Sequence, residues 1–153
     1  GLVFDGRLSE NFKLITGTWV NVGTLRLQVI EHFAPLVQDV VIVGEGRGYL
    51  GGLVVLNPAG CEPLAGGVLE PSHLSVNAAI RDWFAGRLVG HRKGRSSSMR
   101  LDRLMILDTP LSIDRGELTD KGSVNQRLVR ERHTALIDEL YREPPSSRAI
   151  VVD

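Results

Sequence analysis

The run Val40-Val41-Ile42-Val43-Gly44-Glu45-Gly46-Arg47-Gly48 is the first stretch whose residue types suggest chemistry, since a strand opening into alternating glycines can cradle a phosphate. That mechanism needs a helix N-terminus directly after the glycines, where free amides face the anion. The chain continues instead as Tyr49-Leu50-Gly51-Gly52-Leu53-Val54-Val55-Leu56, a second strand. The segment therefore predicts a glycine-rich hairpin between two core strands, and the nucleotide fingerprint is rejected. Histidines 32, 73, 91 and 133 have no metal-ligand spacing, and none accompanies a serine or cysteine in a recognisable triad. Cys61 is the single cysteine, which excludes an internal disulfide and a cysteine metal cluster. A reducing cytoplasm is the expected setting.

Two other stretches place cations beside glycines. Gly6-Arg7-Leu8-Ser9-Glu10-Asn11-Phe12-Lys13-Leu14-Ile15-Thr16-Gly17-Thr18-Trp19-Val20 lies near the start, and Gly116-Glu117-Leu118-Thr119-Asp120-Lys121-Gly122 lies late. The elements that must position them follow from the apolar pattern. Phe12-Lys13-Leu14 and Trp19-Val20 around Gly17 predict a short β-hairpin. Asn21 or Thr24 can cap a helix to about Val37, with Leu25, Val29, Ile30, Phe33, Leu36 and Val37 at near-helical spacing. Asp39 to Val43 and Gly52 to Leu56 read as buried strands. Asn57 to Pro71 is rich in Gly and Pro and reads as a loop inserted locally.

Ser72 or Ser75 can cap a second helix to about Leu88, in which Ile80, Phe84 and Leu88 recur four apart with Trp83 beside them. His91 to Arg100 holds five basic residues and three serines and is expected to be a solvated, mobile loop. Leu104-Met105-Ile106-Leu107 is a third strand, ended by Asp108-Thr109-Pro110. A last helix is expected from Asn125 to Tyr141, with Leu128, Leu136 and Leu140 on one face and Pro144-Pro145 beyond it. The predicted fold is α+β, a small mixed sheet with an N-terminal β-hairpin and about three packing helices.

Bulk properties narrow the class. A chain of 153 residues fits one domain with a real core. Its 18 basic and 18 acidic residues cancel, so charge argues for neither nucleic acid nor an anionic membrane. No apolar run approaches the roughly 20 residues of a spanning helix. The opening Gly1-Leu2-Val3-Phe4 lacks an initiator Met and reads as a cut inside a longer chain.

The segment from Gly6 to Val20 resembles the crossover into the C-terminal domain of adenylate-forming ligases. There the family carries Gly-Arg-x-x-Asp-x-(Ile/Phe)-Lys and then a glycine hairpin. Phe12 to Val20 is similar to the Phe-Lys-Leu-x-x-Gly-x-x-Val version of the long-chain acyl-CoA synthetases. Arg103 to Asp108 resembles the strand before the family's lysine loop. Leu118-Thr119-Asp120-Lys121-Gly122 with Asn125-Gln126-Arg127 looks most like feruloyl-CoA synthetases.

The resemblance implies a lid domain over residues 11–143, a hinge segment over 1–10 and a tail over 144–153, the large N-terminal adenylation domain lying elsewhere in the same polypeptide. It implies ATP with Mg2+ and CoA as substrates of the whole enzyme, none of them held by this domain alone. An aromatic acid such as ferulate would be the acid, homo-oligomers are possible, and the isolated domain would be inactive. Arg7 then contacts phosphate or ribose, or else braces the hinge turn. Glu10 stands where the family has an aspartate hinge, and Gly17 heads the loop that lines the CoA tunnel. Lys13 is either part of this motif or the solvated side of a strand, and Trp19 is expected in core or domain-interface packing. Lys121 is the candidate catalytic lysine, although an ungapped match puts Ser123 at that position. The basic run from His91 could touch the 3′-phosphate of CoA, the alternative to a solvated loop.

Overall fold

The computed structural model describes residues 10–108, 111, 116–118 and 124–152. The predicted hairpin is present as β1 (Phe12–Lys13) and β2 (Trp19–Val20), paired Phe12 to Val20 and Lys13 to Trp19. Asn21 caps α1 (Val22–His32), its side-chain oxygen accepting from the Thr24 N–H at 3.1 Å. This helix stops five residues before the expected Val37. Pro35 explains the difference, because its ring disfavours helical geometry at Ala34 and it has no N–H to continue the ladder.

Val37 instead opens β3 (Val37–Val43), which pairs antiparallel with β4 (Leu50–Leu56) across the glycine turn. The rejection of a nucleotide fingerprint there is borne out by the fold. β4 pairs parallel with β5 (Leu101–Ile106), and β5 pairs antiparallel with β6 (Ala149–Val151). The sheet is therefore mixed, in the order β3-β4-β5-β6. Residues 144–153, expected as a tail, supply its last strand.

Strands buried on both faces read as unbroken apolar runs, which is why Val40 to Val43 does not alternate with polar residues. Val40, Ile42, Val54 and Leu104 face one core together with Leu25, Val29, Phe33, Ile80, Phe84 and Leu88. Val41, Val43, Leu53 and Met105 face a second core with Val129 and Leu140. Each such side chain contributes about 1.5–3 kcal/mol of burial. Gly51 and Gly52 let both layers approach β4. A Cβ would lie 2.6 Å from Leu140 Cδ2 at the first and 2.8 Å from Leu101 Cδ1 at the second.

The helical count departs from the sequence reading. The expected loop at Asn57 to Pro71 contains α2 (Pro58–Ala65), with proline at its first position and Gly66 at φ +80° ending it. Ser72 lies in the short α3 (Pro71–Leu74), and Asn77, not Ser72 or Ser75, caps α4 (Ala78–Arg92) by accepting from the Ile80 N–H at 3.1 Å. α4 runs past Leu88 so that His91 joins its buried stripe.

The basic run is held rather than mobile. Arg92 and Arg100 both pair with Asp102, at 3.0 and 3.1 Å, and Arg95 donates to Gln28 Oε1 at 2.7 Å. The final helix breaks at His133 into α5 (Gln126–Arg132) and α6 (Thr134–Leu140). α1 and α4 thus cover one sheet face, α5 and α6 the other.

Candidate functional site at the N-terminal hairpin

Alternation along the hairpin sends Phe12, Leu14 and Val20 into the core and turns Lys13, Ile15 and Trp19 outward. Trp19 is 64% exposed and Ile15 72%, so the core-packing expectation for Trp19 is corrected. Lys13 Nζ lies 4.9 Å from the centre of the Trp19 ring, a cation–π contact on the solvent side. At the tip, the Gly17 N–H donates to the Leu14 carbonyl at 2.8 Å, and Thr16 and Thr18 hydroxyls meet at 3.0 Å. Gly17 adopts φ +85°, where an L side chain is strained, and a Cβ there would touch nothing within 4 Å. The tip is a bare, tight turn presented to solvent.

The turn between β3 and β4 fastens this hairpin to the body. Gly46 N–H donates to the Lys13 carbonyl at 3.0 Å, and Ile15 N–H donates to the Arg47 carbonyl at 2.9 Å. Arg47 then reaches α6, with Nη2 2.6 Å from Asp138 Oδ1 and its guanidinium 4.4 Å from the Tyr141 ring centre. Asn11 secures the other flank, its Oδ1 accepting from the Val22 N–H at 3.0 Å.

Glu10 lies two residues before the start of β1. Its main-chain carbonyl accepts from Arg130 Nη2 at 2.9 Å. The Arg130 guanidinium lies 4.9 Å from the centre of the Phe12 ring. Burial pushes the Arg130 pKa down, against the opposing pull of Glu45, Glu10 and Glu131.

The late loop is closed at its base. Leu118 and Val124 form a β-bridge, and Asn125 N–H donates to the Glu117 carbonyl at 2.8 Å. His133 Nε2 lies 2.6 Å from Glu117 Oε2, and Asn125 Oδ1 caps α5 by accepting from the Leu128 N–H at 3.2 Å. Arg7, Lys121 and Ser123 lie outside the described residues. Glu10 and Gly17 are described, Glu10 just before β1 and Gly17 at the hairpin tip. Arg130, Gln126 and His133 were not singled out for contacts of this kind by sequence reasoning. Their partners lie from 16 to 120 residues away, so no local spacing marks them. Among the described residues no three His, Cys, Asp or Glu side chains converge on a metal position, and no helix is long and apolar enough to cross a membrane.

Residues 10–144 match the family described as the AMP-binding enzyme C-terminal domain. The chain belongs to that family. The match begins at Glu10, two residues before β1. This AMP-binding enzyme C-terminal domain is 26% identical over 143 residues to the Arabidopsis thaliana protein named "Probable acyl-activating enzyme 16, chloroplastic", covering 92% of this chain and 20% of the relative. It is 26% identical over 155 residues to the long-chain-fatty-acid–CoA ligase FadD15 of Mycobacterium tuberculosis, covering 93% of this chain and 24% of that protein.

The adenylation domain of the carboxylate reductase from Mycobacterium chelonae shares the fold at a TM-score of 0.62, with 24% identity over 88% of this chain and 20% of that one. The adenylation–carrier didomain of the Segniliparus rugosus carboxylic acid reductase, solved with AMP, gives 0.58 at 24% identity, covering 86% and 17%. The domain spans about a fifth of the length of the curated relatives it matches. Its mixed α+β architecture is that of the C-terminal lid in these adenylate-forming proteins.

Proposed function

We propose that this domain is the mobile lid of an ATP-dependent acid:CoA ligase. In the proposed reaction a carboxylate oxygen attacks the α-phosphorus of ATP and pyrophosphate leaves. The lid then turns, and the CoA thiol attacks the acyl carbonyl and displaces AMP. Such chemistry gathers anions, so it needs cations that meet charge as it develops. Lys121 is the proposed cation of the adenylation step, Arg7 the phosphate or ribose contact, Glu10 the hinge and Gly17 the wall of the thiol tunnel. ATP with Mg2+, CoA and the adenylation domain of the same polypeptide are its proposed partners.

The observation that carries this reading is the hairpin that follows Glu10. Glu10 leads into a hairpin fastened through Gly46 and Arg47, with the bare Gly17 tip and the exposed Ile15 and Trp19 facing outward. A hairpin fastened to its domain and entered from the proposed hinge suits lid rotation. Those exposed apolar side chains suit contact with the adenylation domain. An aromatic acid, ferulate or a similar hydroxycinnamate, is the proposed substrate on the wording of the Phe12 to Val20 and Leu118 to Arg127 segments. Cytoplasm is the proposed compartment.

A second acceptor is favoured by one observation. Relatives include an Arabidopsis thaliana protein named as a long-chain-fatty-acid–acyl-carrier-protein ligase, 23% identical over 141 residues, so a carrier-protein thiol is the alternative to CoA. Replacing Lys121 by Ala in the polypeptide that carries this domain tests the catalytic assignment. Acid-dependent ATP–pyrophosphate exchange should fall by about 10²–10³-fold. Unchanged exchange means that Lys121 is the wrong residue. Offering CoA and a carrier protein separately identifies the acceptor.

A further inference from the structure

We propose that Arg130 is a positioning residue for the hinge, fixing the main chain at Glu10 in one lid orientation and releasing it in the other. The proposal rests on the lid reading above. Arg130 extends from α5, on the sheet face opposite α1, yet its Nη2 donates to the carbonyl of residue 10 at 2.9 Å. Because the acceptor is main chain, the bond constrains the backbone of the joint and not the Glu10 side chain.

The guanidinium is placed at a cost. It leaves water for the face of Phe12, burial lowers its pKa, and Nη1 is buried without a hydrogen-bond partner among the described residues. An apolar side chain would fill the same space on Phe12 without stranding a donor. A structural role alone therefore accounts poorly for arginine here.

A spare donor fits a side chain with two sets of contacts. Asn11, Glu45, Arg127, Arg130, Glu131 and Thr134 line a cleft on this side of the molecule. Glu45 belongs to the β3–β4 turn, which Gly46 fastens to Lys13 and so travels with the lid. When residue 10 turns away, the guanidinium turns across the shared cleft to the Glu45 carboxylate, which stays within the lid body. The Arg130 contact is then exchanged instead of lost, and neither orientation leaves it wholly unpaired.

The test uses the full polypeptide and measures the two half-reactions separately, acid-dependent ATP–pyrophosphate exchange and thioester formation from preformed acyl-adenylate. Arg130→Met keeps packing on Phe12 and removes every donor, whereas Arg130→Lys keeps the charge and a donor nitrogen. The expected result is that Arg130→Met changes the ratio of the two rates by about tenfold or more, with Arg130→Lys restoring part of it. Equal loss in both half-reactions, tracking the melting temperature, overturns the proposal. If Arg130→Met fails to fold, Arg130→Gln, which removes the charge and shortens the reach to residue 10, decides in its place, and a ratio identical to wild type overturns the proposal. A wild-type polypeptide without acid-dependent exchange overturns the lid reading itself, and the Arg130 proposal with it.

Discussion

The side-chain amide of Gln126 pairs with the main chain on either side of Val41 as a parallel strand would, its Oε1 accepting from the Ile42 N–H at 2.9 Å and its Nε2 donating to the Val40 carbonyl at 2.8 Å. Gln126 is fully buried, and β3 is one edge of the four-stranded sheet. One residue thus pairs an amide and a carbonyl that this edge would otherwise leave bare, and it pins α5 directly after the late loop.

Replacing Gln126 by Leu keeps most of the volume and leaves the Ile42 N–H and Val40 carbonyl unpaired. We expect a loss of about 2–4 kcal/mol in unfolding free energy, measured by urea denaturation. A loss below about 0.5 kcal/mol would show that water replaces the amide at this edge.

His91 gives the fold a pH dependence whose sign is fixed. Its Nε2 accepts from the Leu101 N–H at 2.9 Å, and burial first, then Arg95, His32 and Arg92, push its pKa from 6.5 down to about 4. Above pH 6.5 both folded and unfolded chains keep the ring neutral. Between that value and about 4 the unfolded chain takes a proton that the folded one refuses, so stability falls as pH falls through this window. The drop attributable to His91 is on the order of 3 kcal/mol. His91→Gln retains an acceptor and should flatten the melting temperature against pH between 6.5 and 4 relative to wild type. Parallel curves for the two proteins would contradict the assignment.

Two helical glycines should respond to alanine with opposite signs. A Cβ at Gly86 in α4 meets nothing within 4 Å, so Gly86→Ala should gain up to about 1 kcal/mol from helix propensity. A Cβ at Gly60 in α2 would lie 2.0 Å from the Pro35 carbonyl oxygen, a main-chain atom that cannot swing aside. Gly60→Ala should lose stability by about 1–3 kcal/mol despite the better propensity. Thermal melts of both variants decide it, and a gain at Gly60 would mean that α2 is free to move away from Pro35.

Much of the fold was legible where one strong local signal stood without a rival. The Val40 to Val43 run, the Ile80–Phe84–Leu88 stripe and the Asn21 cap each behave as read. The misses share a cause. α2 was hidden because its Gly and Pro content suggested a loop, although Pro58 at the start and Gly66 at the end are start and stop signals. The basic run looked solvated because nothing local reveals that Asp102 and Gln28 wait for its arginines. β6 was read as a tail because three residues carry no periodicity, and its strand exists only through pairing with β5. The hairpin of the candidate site was visible in Phe12 to Val20. The contacts of Arg130 and Gln126 were not, since they join segments 84 or more residues apart.

Dependence of adenylate formation on the lid tests the central claim most directly. Acid-dependent ATP–pyrophosphate exchange should be measured on the polypeptide that carries this domain, on the same polypeptide lacking residues 10–152, and on this chain alone. The account predicts exchange by the intact polypeptide, a fall of at least about 10²-fold on deletion, and none from this chain by itself. Exchange that survives deletion undiminished, or that appears with this chain alone, would contradict it.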